Sequence, residues 1–270
     1  MLDLTGPDGE RGALTLTFDN LGEASELENG DASTGRTLGA HPSVTEVLPR
    51  LLDELDSHDL KATFFVEAIN CELYPGAVRE IAARGHELGH HGFRHERWAD
   101  LPPEREAQVL RRGRDAFAAL GIAVAGFRPP GGELTSASRE LLRDHGLRWV
   151  SPVGEEPSVE GGLAELPFRW PDVDAYHVLP HFGGLRARRG DAREPLDPPA
   201  AGRRLLGTLD ALARDGGQRT LILHPFIALE PGMWVQIAAV LARAGELARS
   251  GTTWVAPGGQ LADRLLAQPS

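Results

Sequence analysis

Residues 62–95 read ATFFVEAINCELYPGAVREIAARGHELGHHGFRH, and this stretch decides the fold. It opens on a short apolar run, 62–66, rich in residues that suit a pleated strand. A helix follows, opened by Pro75 at a first-turn position, where its missing N–H is no loss, and closed by Gly85. A second short strand, 86–88, then runs into a group of histidines. Strand, helix, strand is the rhythm of βα units, so the chain is expected to be α/β.

The rhythm extends in both directions. Upstream, 13–18 (ALTLTF) is a strand that runs into Asp19, and 44–58 places Val44, Val47, Leu48, Leu51, Leu52 and Leu55 on one helical face. Downstream, a helix over 103–120 stops at Gly121, and a strand over 126–128 is cut off by Pro129 and Pro130. A helix over about 136–145 stops at Gly146, and strands follow at 149–151, 221–223 and 254–256, with helices near 201–214 and 233–250. These make about seven strands in one series, without a linker or an internal repeat. Two stretches break the pattern. The proline-rich 154–196 is expected as a long ordered loop or irregular β excursion rather than a helix, and the Gly-rich, acidic 22–41 follows Asp19 directly.

Composition narrows the function classes. The chain has 270 residues, 39 acidic against 28 basic side chains and a net charge of −11. Without a basic block, neither a nucleic-acid backbone nor an anionic membrane surface is expected as a partner. The nearest candidate, 186–193, is interrupted by Gly190 and Asp191 and reads as a solvated loop. Cys71 is the single cysteine, so no intrachain disulfide forms and a buried, inert thiol is expected. Residues 1–11 carry neither a positive n-region nor an apolar h-region, and no apolar run reaches about 18 residues, so a cytoplasmic protein without a membrane span is expected.

Ten histidines are left to explain. His91 and His95 stand at a spacing that lets two imidazoles reach one metal ion. Asp19, at a strand end, suits a general base or a turn cap. Arg128, before two prolines and two glycines, suits a bidentate hold on a carboxylate, or is a surface arginine. His224 ends an apolar strand and faces a barrel mouth, or is a satisfied core histidine. Each ordinary reading is adequate alone; jointly, in one series of strand ends, they are not.

With these motifs in view, the chain resembles the polysaccharide deacetylases, the NodB-homology domain of carbohydrate esterase family 4. The resemblance rests on Thr17-Phe18-Asp19-Asn20, on 61–66 (KATFFV), on the segment from Gly85 to His95, on Gly126-Phe127-Arg128-Pro129-Pro130-Gly131-Gly132, and on Leu221-Ile222-Leu223-His224-Pro225, in that order. It implies a deformed (β/α)7 barrel, one catalytic unit over 1–270 with its core at about 14–256, and a divalent metal ion, Zn²⁺ by expectation, at the mouth. It implies Asp19 as catalytic base, Arg128 as the group that orients it, and His224 as general acid. Asn20, His91 and His95 are the implied metal ligands. His90 falls where the family has Asn and is given no ligand role. The implied activity is removal of an N-acetyl or other small acyl group from an amino sugar or a similar small molecule.

Two departures mark this chain. The family's metal-binding Asp is replaced by Asn20, which offers an oxygen without charge; a nearby carboxylate such as Glu23 could compensate. The family's Asp/Trp piece after the fifth strand is absent, and a later Trp170-Pro171-Asp172-Val173-Asp174 stands in the 154–196 stretch. This layout resembles the branch with allantoinase-type and cyclic imide hydrolase-type members, so a ring-opening hydrolase for an imide or ureide, without metal in some members, is the alternative. An inactive barrel used for binding is a second alternative, motivated by Asn20. Trp98, Trp149, Trp170, Trp234 and Phe182 are placed to pack in the core or to stack on a sugar ring. The loops 22–41 and 154–196 either close over the site or are shared with a second copy in a homo-oligomer.

Overall fold

The computed structural model describes residues 5–30 and 37–268. Residues 31–36 of the loop 22–41, and 1–4 of the N-terminal segment, lie outside the described residues. The strands are β1 Gly12–Asp19, β2 Thr63–Val66, β3 Glu87–His90, β4 Gly126–Phe127, β5 Trp149–Val150, β6 Ser158–Glu160, β7 Leu163–Glu165, β8 Gly217–Leu223 and β9 Thr253–Val255. They form one curled sheet in the order β6-β7-β5-β4-β3-β2-β1-β8, with β9 also on β1, and every pairing is parallel except β6–β7. Between the segment after β7 and β8 the link is one parallel bridge, Val173 to Ile222. The result is a half-barrel with helices outside it, as expected from the βα rhythm.

Side-chain alternation along the strands builds two layers, because successive residues point to opposite faces. Leu14, Leu16 and Phe18 of β1, Phe64 and Val66 of β2, Leu88 of β3 and Phe127 of β4 belong to the main core shared with the outer helices Leu48–Ser57, Pro75–Ala83, Pro103–Ala119 and Pro198–Asp215. The other face is the barrel interior, where Ala13, Phe65 and Trp149 pack with Leu261 and Leu265 of the helix Gly258–Leu266. The interior is narrow: a Cβ on Gly126 of β4 would sit 2.3 Å from the Trp149 indole, and one on Gly89 of β3 would sit 2.6 Å from the Phe65 ring.

The expected elements recur with small shifts, and three readings need correction. The expected helix 44–58 begins as a π turn, Ser43–Val47, before the α-helix Leu48–Ser57; Pro49 lies in its first turn and has no N–H to give. The stretch 154–196 holds the hairpin β6–β7, turned by Gly161 and Gly162 at φ 56° and 81°, but also the short helices Asp174–Val178 and Gly183–Arg188, where none was expected. The proline-free gaps there are long enough for single helical turns. Arg186 is buried rather than solvated, because its guanidinium donates to the carbonyls of Tyr176, Leu179, Ala192 and Arg193 and ties those turns together. Trp98 and Trp149 are fully buried core residues, so neither can stack on a ligand. Cys71 is buried as expected, and burial pushes its thiol up to about 12. No helix among the described residues is long and apolar enough to cross a membrane.

The close fit of Trp149 on Gly126 gives a test of this packing. Gly126→Ala is expected to destabilise the fold by about 1–3 kcal/mol, the usual cost of overpacking a filled core. A fall in the denaturant midpoint at unchanged slope would show it; an unchanged midpoint would mean that the interior has room to spare.

Candidate active site at the strand ends

The interior positions continue past the strand ends, and there the residues change from apolar to chemical. On β1 the inward series runs through Thr17 to Asp19; on β2 through Phe65 to Glu67; on β3 through Gly89 to His91. On β4 it reaches Arg128, on β5 Ser151 and on β8 His224. The registers Asp19↔Phe65, Val66↔His90 and His90↔Phe127 place these ends side by side at one mouth. His90 faces the other way, with its ring against Phe117 and Phe127, which agrees with its having no ligand role.

Arg128 organises the centre of the mouth. One terminal nitrogen donates to Asp19 Oδ1 and to Thr17 Oγ1, each at 2.7 Å, and the other donates to Ser151 Oγ at 2.8 Å. The guanidinium lies 4.1 Å from the centre of the Phe65 ring and is 1% exposed. An arginine fork held at this many points has one geometry, and it holds Asp19 in one rotamer. Asp19 keeps its second oxygen 3.9 Å from His91 Nε2. The Arg128 carbonyl accepts from His91 Nδ1 at 2.8 Å, which puts the His91 proton on Nδ1 and leaves the Nε2 lone pair free.

His91 and His95 face each other with ring centres 5.0 Å apart. The turn that carries them is closed by the buried Glu96, whose carboxylate accepts from the N–H groups of Phe93 and Arg94. Desolvation pushes both imidazoles down to about 3, assisted at His95 by the neighbouring His91, so both stay neutral, the form that binds a metal. Asn20 and His95 have φ of 59° and 72°, a region in which non-glycine residues are rare and which concentrates at functional sites. Asn20 Oδ1 is buried without a partner.

His224 is paired with Asp174, 50 residues away. One Asp174 oxygen meets His224 Nδ1 at 2.5 Å and the other accepts from the His224 backbone N–H at 2.8 Å. Burial lowers the His224 pKa, but the Asp174 carboxylate outweighs it and Asp19 adds to the rise, so the net shift is upward. The late Trp/Asp segment thus supplies the partner that the altered fourth motif left open.

Asp19, His91, His95, Arg128 and His224 are all brought to this mouth, as the motifs implied. Glu23 is not free to compensate for Asn20: its oxygens accept from the Gly39 N–H, at 2.6 Å, and from the Tyr74 hydroxyl, which anchors the loop instead. Glu67 was missed by the motif reading. Its carboxylate, His91 and His95 have ligand atoms within 4.8 Å of one another, a carboxylate and two imidazoles that can hold a divalent ion. Strand parity was the available signal, since Glu67 lies two residues beyond the inward Phe65.

The family model for polysaccharide deacetylases matches residues 7–150. The chain belongs to the polysaccharide deacetylase family. That family comprises hydrolases acting on carbon–nitrogen bonds other than peptide bonds. Among curated members, a peptidoglycan-N-acetylglucosamine deacetylase of Bacillus cereus is 36% identical over 90 residues, 33% of this chain and 33% of that protein. The chain therefore spans about a third of the length of such relatives. Among solved structures, a protein of Mycobacterium smegmatis provisionally described as a polysaccharide deacetylase is 28% identical with a TM-score of 0.84, over 99% of this chain and 94% of that one. An allantoinase structure, 17% identical with a TM-score of 0.74 over 96% of this chain and 91% of that one, shares the fold.

Two outcomes test the polar framework. Arg128→Leu leaves Asp19 buried without its cation and is expected to cost about 3–5 kcal/mol of stability, read from chemical denaturation. The raised pKa makes His224 imidazolium at higher pH than a free histidine, and a general acid is lost as pH rises through its pKa. Asp174→Asn should therefore move the alkaline limb of a pH–rate profile to lower pH; an unmoved limb would separate that limb from His224.

Proposed function

We propose that the chain is a metal-dependent amidohydrolase that removes an acetyl group from the nitrogen of an amino sugar or a small amino-sugar-like molecule. One observation carries the reading: two buried carboxylates at one mouth are engaged in opposite ways. Asp19 is held by a permanent cation and keeps an oxygen toward the His pair, whereas both oxygens of Asp174 bond His224, one of them also accepting from the Ala175 N–H. The first arrangement suits a proton acceptor, and the second orients an imidazole that can donate a proton.

A divalent ion such as Zn²⁺, held by His91, His95 and an oxygen donor from a neighbouring strand end, would polarise the amide carbonyl and ease deprotonation of water. The buried, unpartnered Glu67 oxygen beside two neutral imidazoles fits such an ion, and Asn20 leaves a second buried oxygen without a partner just past the end of β1. Asp19 accepts the proton of the attacking water through its free oxygen while Arg128 fixes its other oxygen. His224, protonated and held through Nδ1 by Asp174, delivers the Nε2 proton to the departing nitrogen. That delivery is needed because an amide nitrogen leaves as an amine, not as an anion. The N-acetylglucosamine named for the B. cereus relative supports the acetylated sugar as substrate class.

Acetate release from N-acetylglucosamine and its oligomers, before and after chelation, tests the proposal. Release that stops on chelation and returns with Zn²⁺ is expected, as is a fall in kcat of about 10²–10⁴-fold for His224→Ala, the usual worth of a general acid. Opening of cyclic imides or ureides with no acetate released, or turnover indifferent to chelation, would overturn it.

A further inference from the structure

Glu67 is fully buried, yet its Oε1 has no partner and its Oε2 is met by the Asn70 side-chain amide at 3.2 Å. Among the described residues no lysine or arginine forms an ion pair with it. A carboxylate removed from water without a counter-charge is costly, so such a group is either protonated or, to stay charged, paired or bound to a cation. Its neighbour across the sheet is His91, whose N–H bonds the Val66 carbonyl while the Ala68 N–H bonds the Gly92 carbonyl, so Glu67 and His91 stand level on adjacent strands. Asn70, which also donates to the Leu21 carbonyl, fixes Glu67 relative to the end of β1.

Charge completes the argument. With an amide at position 20, the implied set of Asn20, His91 and His95 is neutral and would hold a dication weakly. Glu67 restores one negative charge to the same cluster, within 4.8 Å of both imidazoles. Resting on the metal-dependent reading above, we infer that Glu67 supplies the anionic metal ligand, so that the carboxylate comes from the end of β2 rather than from the end of β1. Asn20 and Glu67 are then a paired exchange: the charge lost on one strand is regained on the next, and the site is a working variant rather than a decayed one.

Zinc affinity and stoichiometry, measured by competition with a chromophoric chelator, test this without using turnover. Wild type should bind one Zn²⁺. Glu67→Gln, matched in shape, should lose affinity by more than about a hundredfold, beyond the range of changes to groups that only support a ligand. Adding Asn20→Asp to Glu67→Gln should restore most of it, because the carboxylate returns at the neighbouring strand end. Glu67→Gln binding zinc as wild type does, or a wild type that takes up none, would overturn the assignment. Should Glu67→Gln fail to fold by circular dichroism, Glu67→Asp, which keeps the charge and withdraws the oxygen by one methylene, serves the same comparison: wild-type affinity there would overturn the assignment and a loss would support it. Zinc-loaded wild type that releases no acetate would sink the deacetylase reading while leaving Glu67 as ligand.

Discussion

The Arg128–Asp19 ion pair is the interaction on which the mouth depends. Arg128 leaves β4, yet its guanidinium bonds residues of β1 and β5 and lies over a ring from β2, so it ties four strands at their C-terminal ends. A buried guanidinium must be matched by hydrogen bonds and a counter-charge, and the same matching immobilises the carboxylate. The backbone carbonyl of Arg128 sets the His91 tautomer. One residue thereby fixes a candidate base through its side chain and a candidate ligand through its main chain. Pro129 and Pro130 directly after it stiffen the turn that aims it.

Around that pair the constraint is parity. Five groups at the mouth stand two residues past an inward residue: Asp19 past Thr17, Glu67 past Phe65, His91 past Gly89, Arg128 past Gly126, Ser151 past Trp149. The intervening residues, such as Phe18, Val66 and His90, point to the helices. A one-residue slip in any strand would exchange a polar mouth group for a core residue, and the tight contacts of Gly89 on Phe65 and Gly126 on Trp149 oppose such a slip.

Much of the site was legible because its residues sit in short local patterns. Thr-Phe-Asp, His-x-x-x-His, Arg-Pro-Pro-Gly and Leu-His-Pro each join a strand end to a chemical group within a few residues, and such patterns survive without knowledge of the fold. Glu67 escaped because the strand reading stopped at Val66 and no motif includes the next residue. Asp174 was noticed only as part of a Trp/Asp-rich piece, since its bond to His224 closes over 50 residues. Glu23 misled for the opposite reason: closeness in sequence to Asn20 suggested a shared role, whereas Tyr74 and Gly39 hold its carboxylate. The short helices at 174–178 and 183–188 were hidden by a proline count, because long-range hydrogen bonds from Arg186 stabilise single turns that local propensity does not.

What the sequence determined alone was the βα series, the order of its strands' chemical ends and the residues that stand there: Asp19, the histidine pair, Arg128 and His224. These depend on local periodicity and on residue chemistry, both readable along the chain. What tertiary structure decided was which groups meet: that Arg128 reaches Asp19 and Ser151, that Asp174 belongs to His224, and that Glu67 rather than Glu23 stands beside the histidines. Those contacts follow from strand register and sheet curl, which bring distant residues within a few ångströms and which no local pattern encodes.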